Sequence, residues 1–487
     1  MSFCACSNDF LDKNPSQVSN KQIENNPEAM LKQLVAGMYY TTFATGTGGT
    51  TRQEDFGQKA VDIITDLMTG DMGFSAAPNY AFRGVYNYTY QVRTGINAEI
   101  VWNYYYKIIR TANEIIDFTG GDGNMPVEEV KKHCYGQAKA MRACAYFYLV
   151  NLYQHPYSDK KDAPGVPVYT TTLKKEYRAQ SSVKEIYNLI ISDLEEAIVA
   201  LADFDRGNDK SKINKYVALG LLGYTYLTRG EMDDYAKAAA AAQQVIESSK
   251  FPLMTGEEMI NSGYRSINLS SWMWGIDCTV ENTPGMYSFW GNVDYFTNGN
   301  VNRGNVKIID ADLYASIPNT DIRKKQFGSI TTNTVGQAPL APIYKFYDEK
   351  RIAGGDAFYT NDLVYMRAEE MVLIKAEALA RLGNRAESSK SLKSLISLRD
   401  QTATTNLENL NNNDLLETIW FNWRTEMWGE GKTYLAMKRY KKTMHRSSAA
   451  GNHCYFAGKD FPYNYERMIF EIPEYEWVNN PKLVQQQ

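Results

Sequence analysis

The sequence predicts a mostly α fold, in which a scaffold of helical hairpins carries a loop-rich binding subdomain containing short strands. Three observations predict it. Apolar residues recur at helical spacing in paired windows separated by glycine breaks. Between two such pairs, residues 251–362 lose that spacing and turn rich in Asn, Gly, Thr and aromatic residues. The composition, 44 % hydrophobic and 22 % charged over 487 residues, is that of a packed chain rather than a disordered one. A chain of this length can build one large core or two to three packed subdomains.

The helical elements follow in order. Residues 97–118 place Val101, Tyr105, Ile108, Ala112 and Ile115 on one face, and 137–152 do the same with Ala138, Met141, Ala145, Tyr148 and Leu152; the two pair as an antiparallel hairpin. Ser182 and Glu185 form a capping box ahead of a third helix, whose buried stripe is Ile186, Ile190, Leu194, Ala197 and Leu201. Helices over 214–229 and 233–249 break at Gly230, and helices over 363–382 and 386–400 break at Gly383. The spacing of Gly223, Tyr226 and Gly230 is repeated by Ala376, Leu379 and Gly383, small residues that let helices approach closely as in tetratricopeptide-type hairpins. The hairpin blocks thus lie near 97–152, 181–249 and 363–400. Loop-rich blocks lie near 41–96, 251–362 and 443–487, with Trp272 to Ile276 the clear strand-like run. Loops this long in a compact protein are usually functional.

Charge and motif content exclude several classes. Lys+Arg 52 against Asp+Glu 56 gives a net charge of -4, and the longest basic run is Lys438 to Lys442, so a nucleic-acid partner is not expected. No apolar window after residue 30 is long enough to span a bilayer. Cys4, Cys6, Cys134, Cys144, Cys278 and Cys454 are too sparse for a disulfide scaffold, though a single bridge remains open. The dipeptides His133-Cys134 and His453-Cys454 lack zinc spacing, so no metal is predicted. Gly429 to Thr433 imitates a phosphate loop but has Glu426 where glycine is needed and follows a helical run rather than a strand, so phosphate binding is not expected. No catalytic motif, carboxylate pair or cofactor site is identifiable.

Aromatics carry the functional signal. Tyrosine, 35 of 487 residues, exceeds what a core requires, because each hydroxyl needs water or a partner; the excess points to surface or groove aromatics. They gather upstream of the first hairpin (Tyr80, Phe82, Arg83, Tyr86, Tyr88, Tyr90, Arg93) and in the middle block (Tyr287, Phe289, Trp290, Asn292, Asp294, Tyr295, Asn298). Flat rings stack on the C–H faces of sugars while Asn, Asp and Arg bond their hydroxyls. The candidate ligand-binding residues are Arg83, Tyr86, Tyr88, Tyr287, Trp290, Asn292, Asp294 and Tyr295. Alternatively, Tyr86, Tyr88 and Tyr90 form one face of a strand packed on the core. Trp272 and Trp274 are assigned to the core.

At the start, Phe3-Cys4-Ala5-Cys6 before a polar stretch resembles a truncated lipobox lacking its apolar region. This opening (Cys6-Ser7, Phe10-Leu11-Asp12) is followed in order by Arg142-Ala143 through Asn151-Leu152-Tyr153, Gly165-Val166-Pro167-Val168 and VKEIYNLIISDLEEAIVAL from Val183. RAEEMVLIKAEALA from Arg367, RTEMWGEGKTYLAMKR from Arg424 and Phe470-Glu471-Ile472-Pro473 complete the series. Together they resemble the SusD/RagB family of outer-membrane nutrient-binding lipoproteins across essentially the whole chain. The resemblance implies a segment 1–20 of truncated signal, lipid anchor at Cys6 and tether, then a single domain over 21–487 on four tetratricopeptide-like hairpins. It further implies that Arg424, Glu426 and Glu430 are scaffold charges near a helix end with a structural salt-bridge role, and that the chain is a cell-surface, non-catalytic binder of oligosaccharide, or less often peptide, that sits as a lid on a TonB-dependent SusC-like transporter in the outer membrane. A glycoside or peptide hydrolase and a helical-repeat protein-binding scaffold are the alternatives.

Overall fold

The computed structural model describes residues 26–79, 81–332, 336–404 and 407–484; the predicted anchor at Cys6, its tether and Tyr80 lie outside them. The principal helices in the first half are α1 (Pro27–Thr41), α2 (Gln58–Thr69), α3 (Arg83–Tyr86), α4 (Ile96–Phe118), α5 (Glu129–Tyr153), α6 (Val183–Ala200), α7 (Lys215–Arg229) and α8 (Asp234–Glu247). The second half adds α9 (Phe289–Val293), α10 (Ala368–Arg381), α11 (Arg385–Ile396), α12 (Asn412–Glu426) and α13 (Thr433–Tyr440). Helices α4, α5, α6, α7 and α8 pack each on the next, and α8 then packs on α10, which packs on α11 and α12. The helical stack therefore continues in space across residues 248–367, which leave it and return. Those residues form the predicted loop-rich subdomain, with antiparallel two-stranded sheets and short helices, α9 among them, as its regular structure.

Local sequence explains most element boundaries. Ser182 Oγ accepts from Glu185 N and the Glu185 carboxylate accepts from Ser182 N at 2.8 Å, the predicted capping box. Gly230 closes α7 at φ +67° and Gly383 turns the chain after α10 at φ +77°, both left-handed conformations that glycine adopts without a Cβ penalty. The predicted helix over 363–382 begins later, at Ala368. Leu363–Arg367 is instead a strand, paired antiparallel with Trp272–Ile276. Both strands are buried throughout, so each shows a continuous apolar run that periodicity cannot separate from a helix stripe. The 41–96 block also contains α2, every residue of which is buried; a helix covered on all sides has no polar face to betray it.

Two predictions about polar residues resolve in opposite directions. The tyrosine excess is largely internal: Tyr39, Tyr105, Tyr224 and Tyr365 are buried, with hydroxyls donating to Gln137, Gln58, Glu370 and the Thr42 carbonyl at 2.6–3.0 Å. Internal partners satisfy these hydroxyls, so these tyrosines are not the surface or groove aromatics that the excess points to. By contrast, Arg424, Glu426 and Glu430 are structural charges as expected. Arg424 holds Asp71, and Glu426 takes ion pairs from Arg323, Arg367 and Arg399. Glu430 is paired with Arg367 and Lys345, both at 2.9 Å. With Asp321 and Glu369, this is a buried cluster of four cations and four carboxylates, which locks the 248–367 insertion onto α10 and α12. Trp272 and Trp274 lie in the core as assigned.

Candidate ligand-binding cleft

The strand Met72–Phe74 pairs antiparallel with Lys307–Ile309, and this pairing brings the two aromatic loop regions together. Between them opens a cleft of about 460 Å³ lined by Thr51, Arg52, Gln53, Glu54, Asn79, Arg83, Gly84, Asn87, Thr89, Tyr90 and Tyr287.

Three segments build its walls. The first is the loop ahead of α2, tied by the buried Asp55 carboxylate, which accepts from Gly48 N at 2.7 Å, Thr50 N at 3.0 Å and the Thr50 hydroxyl at 2.8 Å. Those bonds fix the following residues, Thr51 to Glu54, as a rim. The second is α3 and the turn after it: Thr89 N and Tyr90 N both donate to the Gly84 carbonyl, at 2.8 and 3.1 Å. The Tyr90 ring lies against Gly84, where a Cβ would come within 2.0 Å of it. The third is the 3₁₀ turn Gly285–Tyr287, followed directly by α9, whose N-cap Ser288 accepts from Gly291 N.

The lining is mixed. Tyr90 and Tyr287 are half-buried rings, Arg52 and Arg83 are exposed guanidiniums, and Asn79, Asn87, Gln53 and the two threonines supply amides and hydroxyls. Glu54 is buried, with Arg52 Nε at 4.0 Å; burial raises its carboxyl above the usual range. Burial lowers the Lys307 ammonium to about 7, partly offset by Glu54, and Lys307 donates to the Asn292 carbonyl at 2.8 Å. Flat rings beside fixed donors and acceptors suit a polyhydroxylated ligand.

Of the predicted residues, Arg83 and Tyr287 line this cleft. The other six support it or lie elsewhere. Tyr86 is buried, its hydroxyl bonded to His453 Nδ1 at 2.7 Å, and Tyr88 is buried with its hydroxyl donating to the Met68 carbonyl. Both rings sandwich against the Arg446 guanidinium, at 4.3 and 4.7 Å. The chain there is a helical turn and a left-handed residue, Tyr88 at φ +61°, rather than a strand. Trp290 is 1 % exposed, edge-on to Phe289 and Phe346, with its indole donating to the Asp362 carbonyl at 3.2 Å. Gly291 and Gly299 beside it are glycines of close packing: a Cβ on Gly299 would fall 2.1 Å from the Gly291 carbonyl oxygen.

Asn292 and Asp294 are buried loop builders. Asn292 donates to the Ser288 carbonyl and accepts from Asn300, while Asp294 accepts from Phe296 N, the Thr297 hydroxyl and Asp348 N. Burial raises Asp294 to about 7. Tyr295 packs on a small separate apolar cluster and donates to the Thr331 carbonyl. Sequence reasoning missed the polar rim Thr51 to Glu54, which carries no aromatic. Tyr90 stands among the loop aromatics of the sequence but is not one of the eight candidates.

Two family models between them match most of the chain. One, described as starch-binding and associating with the outer membrane, matches residues 9–227, and the other, the SusD family, matches residues 287–487. A SusD-like protein of Bacteroides ovatus is 24 % identical over 291 residues, 56 % of this chain; the match spans 48 % of that relative's length. Among solved structures, a SusD-like carbohydrate binding protein from Bacteroides vulgatus superimposes with a TM-score of 0.80 at 24 % identity, covering 94 % of this chain and 97 % of that one. A surface glycan-binding protein A from Bacteroides thetaiotaomicron, solved in complex with laminarihexaose, gives 0.69 at 14 % identity, covering 94 % and 99 %.

Proposed function

The chain belongs to the SusD family, and from that premise we propose that it is a surface glycan-binding protein that holds an oligosaccharide in the cleft between Tyr90 and Tyr287 without catalysis. The observation that carries this reading is the convergence of two sequence-distant loops, one bringing Arg83 and Tyr90 and the other Tyr287, on one polar and aromatic cleft. Each ring offers a stacking face, and the guanidiniums and amides around them offer hydroxyl partners. The laminarihexaose complex of the Bacteroides thetaiotaomicron protein supports a neutral glucan as the first ligand to try. Such affinities fall near the micromolar to millimolar range, roughly 4 to 8 kcal/mol, so one stacked ring can carry a large share.

Capture would serve delivery to a TonB-dependent SusC-like transporter, with Cys6 as the lipid attachment point at the cell surface. Expressed with a complete signal peptide, the protein should fractionate with membranes and take up labelled palmitate, and Cys6→Ala should release it to the soluble fraction; unchanged fractionation refutes the anchor. The hydrolase alternative finds little support. The nearest approach to a catalytic relay among the described residues is Tyr86, His453 and Asp310, linked at 2.7 and 2.9 Å. All three are buried, and burial keeps the His453 imidazole below its ordinary range. The protein-scaffold alternative expects tyrosines across a helical face; Tyr105, Tyr146, Tyr187 and Tyr224 of the stacked helices are buried instead, although Tyr40 of α1 is exposed. Prolonged incubation with the bound oligosaccharide, followed by chromatography, tests the absence of turnover; cleavage abolished by one carboxylate substitution would restore the hydrolase reading.

A further inference from the structure

A second cleft, of about 410 Å³, lies at the end of the helical stack between the loop joining α6 to α7 and the chain leaving α8. Four cations line it: Arg206, Lys210, Lys215 and Lys250. Their partners are backbone carbonyls and ring faces rather than carboxylates. The Arg206 guanidinium donates to the carbonyls of Lys212 and Met273, and the Lys210 ammonium donates to the Leu269 carbonyl at 2.6 Å. The Lys215 and Lys250 ammoniums stand 5.2 and 5.9 Å from the centre of one ring, Tyr216, which meets Phe251 edge to face at 5.9 Å. Two carboxylates share the lining. Asp203 is already taken by Lys132 and His133, and Asp205 accepts from Gly207 N.

We propose that this cleft binds the anionic group of an acidic saccharide, its carboxylate or sulfate lying among the four cations and its sugar ring against Tyr216 and Phe251. Carbonyl bonds orient Arg206 and Lys210 without neutralising them, so their charge remains available to a ligand. Burial with no carboxylate to offset it pulls Lys210 down to about 8, with the Arg206 charge acting in the same direction; an entering anion would relieve that cost. The ring pair adds the apolar contact that an inorganic ion could not use.

This inference goes beyond the neutral-glycan reading of the first cleft and stands or falls separately. The test is titration calorimetry of the full chain with trigalacturonic acid, galactotriose and sodium sulfate at low salt. Trigalacturonic acid should bind, and Lys215→Glu and Lys250→Glu, which remove no hydrogen bond from the fold, should each weaken it at least tenfold. Galactotriose should bind neither the wild type nor these variants measurably at this cleft. Equal binding of trigalacturonic acid by wild type and both variants, or no binding by the wild type, overturns the site. If sulfate competes as well as the trisaccharide, mole for mole, the sugar ring contributes nothing and the saccharide assignment is overturned.

Discussion

Trp290 and Tyr287 stand three positions apart in one sequence, and burial separates their roles. The Trp290 indole fills a space bounded by Phe289 and Phe346, so Trp290→Ala should lower stability by about 3 to 5 kcal/mol. It should affect ligand binding only through unfolding. Melting curves and titration of the same preparation check both. What was legible at this scale was chemistry type and neighbourhood: the two loop regions named from sequence do meet, and Arg83 and Tyr287 do line the cleft. What was not legible was which way each side chain turns. Tyr86 and Tyr90 are equivalent in sequence terms, yet the turn carried by Gly84 and the left-handed Tyr88 sends one to His453 and the other to the cleft. Such orientation depends on long-range partners, His453 and Arg446, that no local pattern announces.

Elements were legible where they are amphipathic and capped. The Ser182 box and the glycine breaks at 230 and 383 fixed helix ends correctly, because a cap is a local interaction. Fully buried α2 and the strand Leu363–Arg367 were not, since tertiary cover on every side erases periodicity. Two predictions belong here. Gly84 in α3 leaves room for the Tyr90 ring; Gly84→Ala should displace that ring and weaken oligosaccharide binding severalfold, as measured by titration. Glu430, held by Arg367 and Lys345, has its carboxyl lowered from 4.5 to about 2; burial opposes this shift, and the two cations outweigh it. A carboxyl lowered on folding stabilises the fold above its unfolded pKa and loses that contribution as pH falls through the folded value. The melting temperature should therefore drop between about pH 4.5 and 2. Glu430→Gln should start from a lower melting temperature and show a shallower decline over that window; a parallel decline would mean the carboxylate is not the coupled group.

At the scale of the whole molecule, the helical stack is a frame, and the cleft lies where the 248–367 insertion, through Tyr287, meets the loops over residues 51–90. The buried Arg/Glu cluster fastens the insertion to α10 and α12, and the Met72–Phe74 pairing with Lys307–Ile309 fastens it to the region after α2. The cleft forms where those two attachments bring loop against loop, which is why its rim mixes residues near 51–54, 79–90 and 287. In the proposed function, this cleft stacks an oligosaccharide on Tyr90 and Tyr287. The most direct measurement is calorimetric titration of a neutral oligosaccharide panel, beginning with laminarihexaose, into the wild type and into Tyr90→Ala and Tyr287→Ala. The wild type should bind a ligand in the micromolar to millimolar range. Each variant should bind it at least about tenfold more weakly, about 1.4 kcal/mol, with the melting temperature nearly unchanged. A ligand held equally well by both variants, or a panel from which the wild type binds nothing, would contradict that function.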